Sequence, residues 1–302
     1  STMDIAIERI LPFMMKLYPL ILIVLLSIPA FGDDKNNVTA LEELENATSI
    51  KELVIESGKN LETYRFSLTE LQDMEVINTT DGEKIYEGQM QAIGAGAFNV
   101  TSRALKMAMA TLSLPAGQEE NATSLSTEVY FFNNTTYTKL GCNWTATSLP
   151  VAEDIWESQN RLEQTVNQMN MSDVRLLGID EIEGKDLYKI EVVPKKGAFS
   201  ALVKEQLGSS LPLDTVNISA ILDNASIRYI LWITKDSHLP EMEYVQMNMT
   251  ASPEMLGLQG PSDQEVVINS TVTSRYSGFN ESVNIALPDE AKNARIISLN
   301  DP

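Results

Sequence analysis

The stretch ASIRYILWITKDSHLPEMEYVQMNMT, Ala225 to Thr250, decides the fold. Two runs rich in β-branched and aromatic residues flank KDSHLP at 235–240, a cluster of turn formers, and the segment predicts an antiparallel hairpin. In its second arm the two-residue strand period sets Tyr244, Gln246 and Asn248 on one side and Val245, Met247 and Met249 on the other. Asn248 opens an Asn-x-Ser/Thr triplet whose sugar would need solvent, so the methionine side is the inward one.

Outward from this hairpin the same reading gives further strands at 215–221 and 265–276, and an N-terminal meander at 62–76, 84–93, 99–114, 126–132 and 136–140. Turns are expected at 80–82, at the glycines 94 and 96, and at 115–120. Tyr64, Phe66 and Leu68 alternate against Arg65, Ser67 and Thr69, and Leu105, Met107 and Met109 share one face of RALKMAMAT. The stretch VRLLGIDEIEGKDLYKIEVVP reads as two strands joined at 183–186, with Tyr188, Ile190 and Val192 on one face.

Helical spacing is confined to three places. Residues 49–59 start with Ser49 as a cap and Glu52 at the third position. Residues 152–169 carry Ile155, Gln159, Leu162, Val166 and Met169 on one stripe, and 198–207 end at Gly208. Many strands and few helices predict an α+β fold with a strongly curved antiparallel sheet.

The chain's beginning reads differently. MMKLYPLILIVLLSIPAFG, residues 14–32, places a lysine before an apolar run at 20–28 and small residues at Ala30 and Gly32, the pattern of a cleaved secretory signal. A retained hydrophobic anchor is the alternative, although the run is shorter than the roughly 20 residues of a comfortable span. The expected organisation is a signal or anchor at 1–32, a mobile leader at 33–48 and a single domain at 49–302.

Fourteen sequons follow: Asn37, Asn46, Asn78, Asn99, Asn121, Asn133, Asn134, Asn143, Asn170, Asn217, Asn224, Asn248, Asn269 and Asn280. Chance would give about three at this Asn, Ser and Thr content. Such an excess behind an export signal predicts a glycosylated protein facing the cell exterior.

Composition excludes several functions. With 42 acidic against 22 basic residues the net charge is −20, which repels nucleic acid and anionic headgroups. The one cysteine, Cys142, can form no internal disulfide; it reads as a small buried hydrophobe, with intermolecular pairing as the alternative. The one histidine, His238, sits in the KDSHLP turn beside Asp236 and Ser237, a closeness in sequence that does not make a triad, and no G-x-S-x-G elbow exists. One histidine and one cysteine are too few soft ligands for zinc or iron. No catalytic residue, metal or cofactor is expected, and the chain reads as a non-enzyme.

A curved sheet under amphipathic helices supplies an apolar cleft. The residues expected to line it are Leu105, Met107 and Met109; Tyr130 and Phe132; Trp156, Leu162 and Val166; and Ile190, Trp232, Met247 and Met249.

The order of elements, the ending RYSGFNESVNIALPDEAKNA with Val283, Ile285, Pro288 and Ala291, the segment YTKLGCNWT with Tyr137, Lys139, Gly141 and Trp144, and EIEGKDLYKIEVVP with Gly184 and Tyr188 together resemble the LolA/LppX-like superfamily across about 49–291. The resemblance implies a half-barrel whose concave side is closed by helices around an apolar cavity for a lipid or acyl chain, with no catalytic residues. Two departures stand out. No lipid-anchoring cysteine follows the apolar run, and the sequon density looks more like an archaeal or eukaryotic surface protein than a bacterial one, an archaeal surface being preferred. The expected function is an exported cell-surface protein binding a lipid or other amphiphile, with membrane or envelope proteins as further partners. The alternative is a structural or adhesive envelope or filament glycoprotein that self-associates.

Overall fold

The computed structural model describes residues 41–116, 122–148, 156, 160–194, 218–255 and 263–297. The expected signal or anchor, the helix at 198–207, most of 152–159 and the sequons Asn37, Asn121 and Asn217 lie outside the described residues.

Among the described residues twelve strands form one open sheet in the order β12-β6-β5-β4-β3-β2-β1-β11-β10-β9-β8-β7. The first meander runs through β1 (Thr63–Asn78), β2 (Lys84–Asn99), β3 (Ala104–Pro115), β4 (Thr123–Phe132), β5 (Thr135–Leu140) and β6 (Asn143–Ser148). The second runs through β7 (Ser172–Ile182), β8 (Lys185–Pro194), β9 (Ala225–Thr234), β10 (Pro240–Ala251) and β11 (Gln264–Ser277). β1 and β11 pair antiparallel from Arg65↔Ser277 to Asn78↔Gln264 and zip the two meanders together. After β11 the chain passes a short 3-10 turn, Ala291–Asn293, and adds β12 (Arg295–Ile297) parallel to β6.

Local chemistry sets the hairpins. Asn133 and Asn134 both adopt positive φ (50° and 59°) and form the two-residue link between β4 and β5, the twist-compatible turn that Asn tolerates. Glu183-Gly184 does the same between β7 and β8, at φ 53° and 76°. The 225–250 hairpin forms as the sequence predicts, with Val245, Met247 and Met249 buried and Asn248 exposed.

The glycines at 94 and 96 do not make a turn. They lie inside β2, where a Cβ on Gly96 would stand 2.5 Å from Phe66 Cε1 and 2.6 Å from the Lys106 carbonyl oxygen. The chain turns instead at 100–103. Residues 218–221, the described part of the strand expected at 215–221, lie instead in a one-and-a-half-turn helix, α3 (Ile218–Asp223).

Two longer helices meet the sheet. α1 (Leu41–Lys59) begins well before the expected cap Ser49, so residues 41–48 of the expected leader are helical. α2 (Arg161–Met171) turns Leu162 and Met169 fully inward. It is pinned at its start and near its middle: the Tyr64 hydroxyl donates to Asn160 Oδ1 at 2.9 Å, and the Tyr229 hydroxyl donates to Thr165 Oγ1 at 3.2 Å. Lys51 Nζ on α1 donates to the Ser172 carbonyl at 2.5 Å, where α2 becomes β7. The helices therefore sit on one face of the curved sheet, called the covered face below.

At the other end of the fold, Asn280 clasps the β11 exit to the start of β1. Its Oδ1 accepts from the Glu62 N–H at 2.8 Å and its own N–H donates to the Thr63 carbonyl at 2.9 Å. Arg65 pairs with Glu281 beside it at 2.7 Å.

Candidate functional site

Strand alternation and register place nine of the twelve expected lining residues on the covered face. Leu105, Met107, Trp156 and Leu162 join Tyr64, Phe66, Leu68, Phe98 and Phe131 in one apolar lobe. Ile190, Met247 and Met249 belong to a second lobe with Met74, Val76 and Ile268, and Val166 packs against it. Met109 touches Met90 and Ala92 beside the first lobe.

The other three lie on the opposite, open face. Phe131 pairs with Leu105 and is inward, which turns Tyr130 and Phe132 outward by the strand period. Tyr130 is nevertheless 4% exposed, because Lys106 Nζ lies 5.8 Å from its ring centroid and the Trp144 ring 5.9 Å away. Trp232 packs with Leu187 and Ile230 in a separate outer cluster. Its indole N–H donates to Asp180 Oδ2 at 2.8 Å, and Lys189 Nζ reaches the same oxygen at 2.9 Å.

Those two donors, the indole first and the lysine second, hold the Asp180 carboxyl below the usual aspartate range. A carboxyl stabilised in its ionised form contributes to folding above the unfolded pKa of about 3.9 and loses that contribution as the pH falls through the folded value. Thermal melts of the protein and of Asp180→Asn should therefore differ at pH 6, with wild type higher, and the gap should narrow below about pH 4. A gap that is unchanged down to pH 3 would show the carboxylate to be idle.

Cys142 is exposed at the tip of the β5–β6 hairpin beside Gly141, not buried as expected: a two-residue turn between short strands has nothing to pack on. His238 is half-buried in its turn at φ 54°. Among the described residues no group of three His, Cys, Asp or Glu is gathered to hold a metal, and no helix is long and apolar enough to cross a membrane.

The two lobes of the covered face are parted by a polar seam at the β1–β11 junction. Glu70 and Gln72 on β1, Ser270 and Ser274 on β11, and Glu243 on β10 all occupy inward, buried positions. Glu243 Oε2 accepts from the Tyr276 hydroxyl at 2.5 Å. The period in YRFSLTELQDMEV runs on from Leu68 through Glu70 and Gln72 to Met74, so the seam had a sequence signal that a search for apolar lining passes over.

The covered face is buried across both lobes and opens along the far part of β3 and β4. Leu105 and Phe131 are wholly buried, but further along the same strands Met109, Thr111 and Ser113 are half-buried, and Leu125, opposite Thr111, is 48% exposed. A second opening lies where α1 and α2 meet the sheet: a cleft of about 220 Å³ floored by Leu61, Val100, Leu162 and Val166 and edged by Lys59, Asn160, Glu163 and Asn167.

Of the eleven described sequons, Asn46, Asn133, Asn134, Asn143, Asn170, Asn224, Asn248, Asn269 and Asn280 are exposed, and Asn78 and Asn99 are half-buried. Asn248 and Asn269 face each other across β10 and β11 on the open face.

Comparison with known proteins adds a family and little more. No curated protein matches the chain. Among solved structures it is similar to the lipoprotein LppX of Mycobacterium tuberculosis, at 13% identity and a TM-score of 0.39 over 79% of this chain and 97% of that one. It is also similar to an outer-membrane lipoprotein-sorting protein domain from Vibrio parahaemolyticus, at 10% identity and a TM-score of 0.27 over 83% and 98%. A third is the Pseudomonas aeruginosa MucA/MucB complex, at 12% identity and a TM-score of 0.23 over 74% and 57%. Scores this low leave the function to the geometry of this chain. A family model matches residues 46–295, most of the sequence, and on that extent the chain belongs to the Family of unknown function (DUF6612).

Proposed function

We propose that this protein is an exported, glycosylated, non-catalytic binding protein that holds an amphiphile by its apolar part against the covered face of the sheet. The observation that carries the reading is the change of burial along β3 and β4. The apolar lining is sealed at Leu105 and Phe131 and then opens at Met109 and Leu125, so solvent reaches an apolar wall on the side the helices cover. A concave apolar surface open at one end admits a chain, and each buried methylene contributes about 0.8 kcal/mol before ordering costs are met.

The orientation of the sequons supports the exported setting, because an attached sugar must reach water and none of the described sequon asparagines is buried. Peptide mapping of protein from its native source should find glycans on up to eight of the nine exposed asparagines, since at most one of the adjacent Asn133 and Asn134 is occupied.

Binding is tested with the neutral fluorophore N-phenyl-1-naphthylamine and by native mass spectrometry before and after mild organic extraction. The protein should take up the fluorophore and should lose mass on extraction. Leu125→Asp alters an exposed position, so it should change the melting temperature little while weakening fluorophore binding several-fold. No uptake and no mass change would sink the reading.

A further inference from the structure

We propose that Gln72, with Ser270, forms a polar subsite that receives the uncharged, hydroxyl- or carbonyl-bearing headgroup of the amphiphile, the class typified by a monoacylglycerol. This deepens the apolar-binding reading and rests on it. Gln72 and Ser270 are direct cross-strand partners, while Ser274 stands four residues farther along β11, opposite Leu68 and beyond Val272 on the same face. Gln72 is 0% exposed, yet neither its amide nitrogen nor its amide oxygen has a hydrogen-bond partner, and the Ser270 and Ser274 hydroxyls are buried without one as well. Buried polar groups in folded proteins are nearly always paired, and an amide offering two donors and an acceptor matches a hydroxyl or ester group in both directions.

The surroundings choose the class of ligand. The carboxyl groups of Glu70 and Glu243 flank the subsite, and among the described residues β1, β10 and β11 turn no lysine or arginine to the covered face. An anionic headgroup would therefore face two carboxyl groups and, from the described residues of these three strands, no base. On either side of the seam lie the two apolar lobes.

A route to the subsite is also present. Ser113 pairs with Met90 and Met90 with Gln72, so the half-buried hydroxyls of Thr111 and Ser113 stand in the same rows as the seam and lead to the open part near Leu125. Gln72 itself is 0% exposed, so a headgroup reaches its amide only by displacing neighbouring side chains.

The test uses 1-monooleoylglycerol and oleate, which share a chain and differ in the headgroup, titrated calorimetrically into the protein, Gln72→Leu and Ser270→Ala, with melts of each ligand-free protein. Wild type should bind the glycerol ester about tenfold more tightly than oleate. Gln72→Leu should abolish that preference by weakening the ester alone, and it should melt no lower than wild type, since an apolar side chain of similar shape replaces an amide with no partner. Ser270→Ala should shrink the preference.

Three results overturn the subsite: a wild-type preference for oleate or for neither lipid, a preference that survives both substitutions, or a Gln72→Leu protein that melts several degrees lower. A surviving preference with a higher melting temperature would mean that the seam holds ordered water only. If wild type binds neither lipid, the apolar-binding reading falls along with the subsite. If it binds both equally, the subsite alone falls.

Discussion

Phe98→Ala is expected to cost about 3–5 kcal/mol of folding stability, the range for deleting a fully buried aromatic ring, and to lower the melting temperature by about 10 °C or more. Phe98 is wholly buried and is the hub of the first lobe. Its ring stacks on Tyr64 at 4.8 Å and 10°, lies 5.7 Å from Phe66, and meets Trp156 edge-on at 5.8 Å. Through Tyr64 it also supports the bond to Asn160 from which α2 starts, so its loss should loosen a helix as well as open a cavity. Ile93, on the same strand but 61% exposed on the open face, is the matched control; Ile93→Ala should stay within about 0.5 kcal/mol. Chemical denaturation followed by tryptophan fluorescence and near-ultraviolet circular dichroism reads both. Equal effects from the two substitutions would mean that the covered face is not the core.

How much of this was legible in the sequence follows from where the two-residue period is clean. In β10 and in the first half of β1 apolar and polar residues alternate, and the inward side can be read directly, as with Val245, Met247 and Met249. In YFF at 130–132 and in RYILWIT at 228–234 three or more large residues run consecutively, so alternation cannot assign a face. Both strands are buried on both sides there, by Trp144 and Lys106 over Tyr130 and by Leu187 beside Trp232. The contacts that turn Tyr130, Phe132 and Trp232 away from the lining come from distant strands, which local alternation does not encode.

The polar seam was legible for the opposite reason. Glu70 and Gln72 hold the inward phase of β1 without a break, but a cleft conceived as wholly apolar gives no cause to look for them. Cys142 shows the limit of composition: a lone cysteine is commonly buried, yet the Gly141-Cys142 turn leaves this one exposed.

The glycines of β2 are the hardest case for the sequence and the basis of the second large effect. Gly94 and Gly96 looked like a turn because glycine in a strand weakens it and normally marks a break. What keeps them in β2 is the neighbouring strand: Phe66 and Leu68 lean across from β1 into the space their missing side chains leave. At Gly94 a Cβ would come 3.2 Å from Leu68 Cγ, which a small shift relieves; at Gly96 it would meet both an aromatic ring and a backbone carbonyl closer than 3 Å. The carbonyl of Lys106 cannot rotate away without breaking the β2–β3 ladder. Gly96→Val should therefore cost at least the 1–3 kcal/mol typical of overpacking, with β2 pushed from β3 and the lining at Met107 displaced, whereas Gly94→Ala should be mild. Hydrogen exchange of the β2 and β3 amides locates the damage: protection should fall on these strands in Gly96→Val before it falls on β9 and β10. Should Gly96→Val match wild type in stability and protection, Phe66 does not occupy the space over β2, and the sealed end of the covered face would have to be built in another way.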